Sequence, residues 1–157
     1  MSQEALERAV PRGDRILLDA SMLIAYLSGD EPISPMAKHV VDVWVERGRN
    51  EAVVSMVSVM EILVRPLRTV PSESQSVLDF LRYFPHLHLM PVGLQVAQEA
   101  AALRAAYRFA PPDALTIGTG LAAQVGHILT NDARWKRLKP VDRRVKVVSM
   151  KEYLPFP

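Results

Sequence analysis

Four acidic side chains give this sequence its readable chemistry: Asp19, Glu61, Asp113 and Asp132. Asp113 opens the helix-forming stretch PPDALTIGTGLAAQV, and Asp132 closes the strand-like run HILTN that follows it. A helix from Asp113 to Val125 advances about 18 Å at ~1.5 Å per residue. A strand from His127 to Asn131 returns roughly 16 Å at ~3.3 Å per residue. The two journeys nearly cancel, so the two carboxylates are expected to face each other. Carboxylates held together repel unless a cation lies between them, and a hard metal ion bound through oxygen suits that place.

The elements that must position these acids follow from the chain in order. After a polar lead-in over residues 1–13, RILLD (Arg15–Asp19) reads as a buried strand and ASMLIAYL as an apolar helix stopped by Ser28-Gly29-Asp30. Ser34 with Pro35 reads as a helix start, the cap followed by proline in the first turn, with the helix running to about Gly48. EAVVS reads as a second strand, and SVMEILVRPLR as a helix that Pro66 ends or kinks. Another helix opens at Pro71-Ser72 and closes at Pro85, LHLMPV is a third strand, and the alanine-rich LQVAQEAAALRAAYRF is a helix. VKVVSM supplies a last strand before a tail over residues 151–157. Strands alternating with helices predict an α/β fold, a single domain over 1–157. Its central, mostly parallel sheet of about five short strands is flanked by helices on both faces.

In open parallel sheets, ligands bind outside the carboxyl ends of the strands. Asp19 and Asp132 stand at such ends, and the helix carries Asp113 there. Singly, each aspartate also has a plainer account, because each precedes or opens a helix whose free N–H groups a carboxylate caps. Glu61 differs. It lies between SVM and ILV on an apolar helix, where an unpaired charge is expensive to bury. Its partner is either Arg65, four residues on, or a cation shared with the three aspartates. The joint pattern favours the shared cation.

LLDASMLIAYL, VSVMEIL and PPDALTIGTGLAAQVGHILTND, in this order and spacing, resemble the PIN-domain nuclease family over most of the chain. The branch they are most similar to is the VapC-like toxin ribonucleases of toxin–antitoxin pairs. The resemblance implies that Asp19, Glu61, Asp113 and Asp132 form the active site and hold Mg²⁺ or Mn²⁺, with Ser21 and Thr130 in support. It implies RNA as substrate, a cognate antitoxin as partner, and a homodimer. ASMLIAYL and SVLDFLRYF are candidates for those protein contacts, or for ordinary packing within the domain. Two departures stand out: Gly118 and Gly120 occupy helix positions where alanine is expected, and the lead-in is long.

Carboxylates suit Mg²⁺ and Mn²⁺, whereas zinc prefers sulfur or clustered imidazole. Two such metals can activate a water and clamp a phosphodiester. Asp19, Asp113 and Asp132 are then ligands, and Glu61 a ligand or a water-orienting base. Seven basic residues between Arg134 and Lys146, with only Asp142 opposing them, either line a phosphate-binding rim or form a solvated face. Arg134, Arg143 and Arg144 are the RNA-binding candidates. Trp135 either stacks an unpaired base or anchors the core. His86 and His88 read as ordinary surface or half-buried residues, and Met22, Met56, Met60 and Met90 as core filler.

With 157 residues, 49% of them hydrophobic, the chain is large enough for a real core. The absence of cysteine excludes disulfides and thiolate metal sites. The start of the chain carries no apolar stretch of signal-peptide length, and no apolar run reaches membrane-spanning length, so the expected location is cytoplasmic, with no membrane partner. Gly118-x-Gly120-x-x-Ala123 fits a relaxed dinucleotide-binding pattern, but PPDALTI is a poor strand to precede it. A phosphorylated receiver wants an aspartate ending a middle strand, which EAVVS and LHLMPV lack. The remaining alternative is a catalytically silent PIN-like module that binds RNA or protein.

Overall fold

Successive side chains of a strand point to opposite faces, and here both faces are apolar. The computed structural model describes residues 3–138 and 144–157. Strands β1 (Ile16–Leu18), β2 (Ala52–Ser55), β3 (Leu87–Met90), β4 (His127–Thr130) and β5 (Lys146–Ser149) form one parallel sheet in the order β3-β2-β1-β4-β5. Ile16, Leu18, Ala52, Val54, Leu129 and Val148 enter one core. Leu17, Val53, Ile128 and Val147 enter the other. Strands buried on both faces demand helices on both faces.

The first core is covered by α1 (Gln3–Ala9), α2 (Ala20–Ser28), α3 (Ser34–Lys38) with a π-helical continuation over His39–Val45, α4 (Met56–Thr69) and α5 (Glu73–Tyr83). The second is covered by α6 (Leu94–Tyr107), α7 (Pro111–Ala122) and a 3₁₀ turn over Ala133–Leu138. The chain builds outward from β1, first to β2 and β3 on one side, then to β4 and β5 on the other. Such a reversal opens a crevice at the carboxyl ends of the central strands. Leu18 of β1 pairs with Leu129 of β4, so Asp19 and Thr130 leave the sheet side by side.

Several elements differ from the sequence expectation. The lead-in is a helix whose Leu6 is buried, followed by buried Val10. Arg49 holds it by donating to the Glu7 and Val10 carbonyls, and Asn50 by donating to those of Pro11 and Asp14. Ser34 is not a cap; Ile33 precedes α3, and the Ser34 hydroxyl donates to the Ala25 carbonyl (2.7 Å). Pro66 does not end α4, which runs on to Thr69, whose hydroxyl donates to the Arg65 carbonyl. Met56 and Met60 are exposed rather than core filler, whereas Met22 is buried. Among the described residues, no helix is long and apolar enough to cross a membrane.

Candidate active site

Asp19 follows β1 and caps α2, its Oδ1 accepting from the Met22 N–H at 3.1 Å. Two hydroxyls grip the same carboxylate. Ser21 Oγ donates to Oδ1 and Thr130 Oγ1 to Oδ2, each at 2.6 Å. Those hydroxyls in turn accept the N–H groups of Asn131 and Asp132, both at 2.9 Å. The carboxyl end of β4 is thus fastened to Asp19 through the two residues expected to support it. Burial pushes the Asp19 carboxyl up to about 6, outweighing the three hydrogen bonds, and the Asp132 charge adds to the rise.

α7 begins at Pro111, opened by Pro-Pro-Asp as the sequence suggested, so Asp113 lies inside its first turn. It is no cap: among the described residues, no backbone N–H donates to its side chain. Its pKa is raised by burial and then by Asp132, against lowering by Arg134, Trp135 and Arg137. Glu61 is half-buried in α4 and makes no ion pair with Arg65 among the described residues. Its pKa is raised by burial and by the charges of Asp19 and Asp113. The helical-pair account of Glu61 therefore fails.

Asp132 is the acid with a cation already on it. The Arg134 guanidinium donates to both carboxylate oxygens, at 2.6 to 3.1 Å, and the Arg134 N–H to Oδ1 at 2.9 Å. This holds the Asp132 carboxyl below the usual range. Arg134 itself is exposed, so this cation is open to solvent.

Asp19, Glu61 and Asp113 thus each feel the charge of at least one other acid, and Asp132 acts on two of them. In the rotamers present, no three acidic or imidazole side chains among the described residues form a ready-made metal cage. The donor set still fits a hard divalent cation: all ligands are oxygen, three are raised by mutual repulsion and burial, and the fourth is neutralised by Arg134. Next to Asp132, Asn131 buries an Oδ1 with no hydrogen-bond partner among the described residues, a further oxygen whose needs the protein leaves unmet.

The sequence reading missed a second pair of hydroxyls. Ser55, at the end of β2, caps α4 through the Val57 N–H and lies 3.1 Å from Thr119 Oγ1 of α7. Thr119 donates to the Leu115 carbonyl (2.8 Å), so Ser55 supplies the proton shared between the hydroxyls. This buried link ties the helix bearing Glu61 to the helix bearing Asp113. A serine ending an apolar strand was the available signal. Arg144 makes a bidentate pair with Glu99 (2.8 and 3.1 Å), and Arg143 lies outside the described residues. Trp135 is buried, which removes it as a stacking platform. His86 bonds the Val45 carbonyl, and His88 pairs with Glu51.

The family model for the PIN domain matches residues 16–140. No curated protein matches the chain. A toxin–antitoxin complex from Klebsiella pneumoniae superposes with a TM-score of 0.66 at 21% identity, over 86% of this chain and 97% of that one. FitAcB from Neisseria gonorrhoeae gives 0.65 at 18%, over 87% and 98%. VapC20 from Mycobacterium tuberculosis, described as a Sarcin-Ricin loop cleaving toxin, gives 0.64 at 11%, over 82% and 97%. At such identities these are likenesses of fold.

Proposed function

This chain belongs to the PIN domain family, and on that premise we propose that it is a metal-dependent endoribonuclease, the toxin of a toxin–antitoxin pair. What supports the reading is the gathering of acids at the carboxyl ends of the central strands: Asp19 after β1, Glu61 on α4, Asp113 in the first turn of α7 and Asp132 after β4, the first three raised by burial and by the charge of another acid. A fold does not gather like charges without a counter-charge. Asp19, Asp113 and Asp132 are the ligands, and Glu61 is a ligand or a water-orienting base. Ser21 and Thr130 hold the Asp19 carboxylate in one orientation. Bound Mg²⁺ or Mn²⁺ would supply Lewis acidity toward a phosphodiester and an acidified water.

Arg134 stands beside Asp132 and is assigned to the phosphates of the RNA, whereas Arg144 is held by Glu99 ahead of the amino end of β5 and is not assigned there. The antitoxin partner is suggested by the Klebsiella pneumoniae neighbour, which is described as a toxin–antitoxin complex. A homodimer and a cytoplasmic location complete the reading.

The test is a Mn²⁺ and Mg²⁺ titration with a short single-stranded RNA. Cleavage is expected only with the cation, is abolished by chelator, and falls at least 100-fold in Asp113→Asn. Undiminished cleavage in that variant would refute the ligand assignment. Binding without cleavage at any cation concentration would favour the catalytically silent module.

A further inference from the structure

The 3₁₀ turn over Ala133–Leu138 buries Trp135 and Leu138 and leaves Arg134 and Arg137 exposed. Side chains three apart eclipse in a 3₁₀ helix, so the two arginines share one face of the turn. Basic side chains around Arg137 are already paired: Arg134 with Asp132, Lys136 with Glu152 and Arg144 with Glu99. Arg137 has no carboxylate and no hydrogen-bond acceptor among the described residues. Its guanidinium lies over the Phe109 ring instead, 4.1 Å from the centroid. Phe109 is 1% exposed and packed in the second core, and Arg104 Nε donates to its carbonyl at 3.2 Å. The ring is therefore a fixed seat. A guanidinium seated by its face on a ring keeps its five N–H donors at the edge. Phe109 is four residues from Asp113, and Arg137 five from Asp132, which sets the seat beside both acids; the Arg137 charge lowers the pKa of each.

We propose that Arg137, seated on Phe109, binds a backbone phosphate of the RNA beside the acidic crevice. A planar, charged donor fork matches a phosphate, and a side chain already ordered on a ring loses less freedom when it binds. Phosphate contacts of this kind fix the register of a strand without reading its bases. The inference rests on reading RNA as the substrate, and it adds a substrate contact separate from the cation site. If Arg137 only covered the ring, its loss would lower stability and leave RNA binding unchanged.

Fluorescence anisotropy with a short labelled single-stranded RNA, in chelator so that nothing is cut, measures affinity across a salt series. Arg137→Gln should weaken binding about 10-fold and reduce the logarithmic salt slope by about 0.7, the share of one phosphate on a single strand. Arg8→Gln removes an equal charge beside Gly126 and His127, at the amino end of β4, and should change affinity less than about 2-fold. Arg137→Lys keeps the charge without the planar fork, and should recover only part of the loss. Melting temperatures in the same buffer report any damage to the fold. Equal losses in Arg137→Gln and Arg8→Gln, parent-like affinity in Arg137→Lys, or no RNA binding by the unsubstituted protein each overturn the proposal. Binding that depends on Arg137, in a protein that cleaves nothing with Mn²⁺ or Mg²⁺, upholds it and removes the nuclease reading. Should Arg137→Gln fail to fold, Arg137→Lys against the parent decides: weaker binding by that variant supports the seat, and equal binding overturns it.

Discussion

Asp19 holds a carboxylate where water scarcely reaches, and the three groups that donate to it do not offset that burial. Its carboxyl is raised to about 6, against roughly 3.9 for an unfolded aspartate. The folded state therefore keeps this proton longer than the unfolded state does. The associated stability is complete below the unfolded value and is lost as pH rises through about 6. At pH 8, the ionised group costs the metal-free fold up to roughly 3 kcal/mol. Asp19→Asn should accordingly raise the melting temperature in chelator at pH 8, and the gain should vanish near pH 4. A variant that melts no higher than the parent at pH 8 would remove Asp19 from the list of strained residues. The sequence located this carboxylate by its place at the end of an apolar run. It could not show that Ser21 and Thr130 grip it together, because that grip depends on β1 pairing with β4 across more than a hundred residues of chain.

At the level of elements, α7 explains a feature that looked anomalous in the sequence. Gly118 replaces a better helix former, a loss of about 1 kcal/mol by propensity alone. A Cβ added there would come 3.0 Å from the Val96 carbonyl oxygen and 3.1 Å from the Ala100 nitrogen, both backbone atoms of α6. The glycine lets two helices approach closely, and rigid backbone cannot swing aside. Gly118→Ala is therefore expected to destabilise by about 1–3 kcal/mol, the range for overpacking, measured by denaturant unfolding. Gly120→Ala should be milder, because its closest obstruction is the Val125 side chain at 3.1 Å. If Gly118→Ala were stabilising, helix propensity would outweigh the contact and the close approach would not explain the glycine. Strand number, order of elements and the α/β class were all legible from period and punctuation. What was not legible depended on tertiary contact: the docking of α1 by Arg49 and Asn50, the persistence of α4 through Pro66, and the Ser55–Thr119 link.

For the molecule as a whole, α4 offers the proposed homodimer an apolar surface beside those of the two helices the sequence nominated, α2 and α5. In α2, residues Ala20, Met22, Leu23 and Ala25 are buried in the core and so are not free for a partner. On α4, Met56, Met60, Val64 and Leu67 recur at helical spacing and are 44%, 54%, 37% and 55% exposed. An apolar stripe left in solvent marks a contact site, and a second copy could lay the same stripe against it by two-fold symmetry. Glu61 lies about 100° around the helix from Met60 but only about 60° from Val64, so a partner on the stripe would pass close to the acid. The protein should therefore sediment as a dimer, and the double substitution Met60→Glu, Leu67→Glu should sediment as a monomer. A double variant that stays dimeric would move the interface off α4, and one that loses cation binding along with its partner would mean that the second copy helps to shape the acidic crevice.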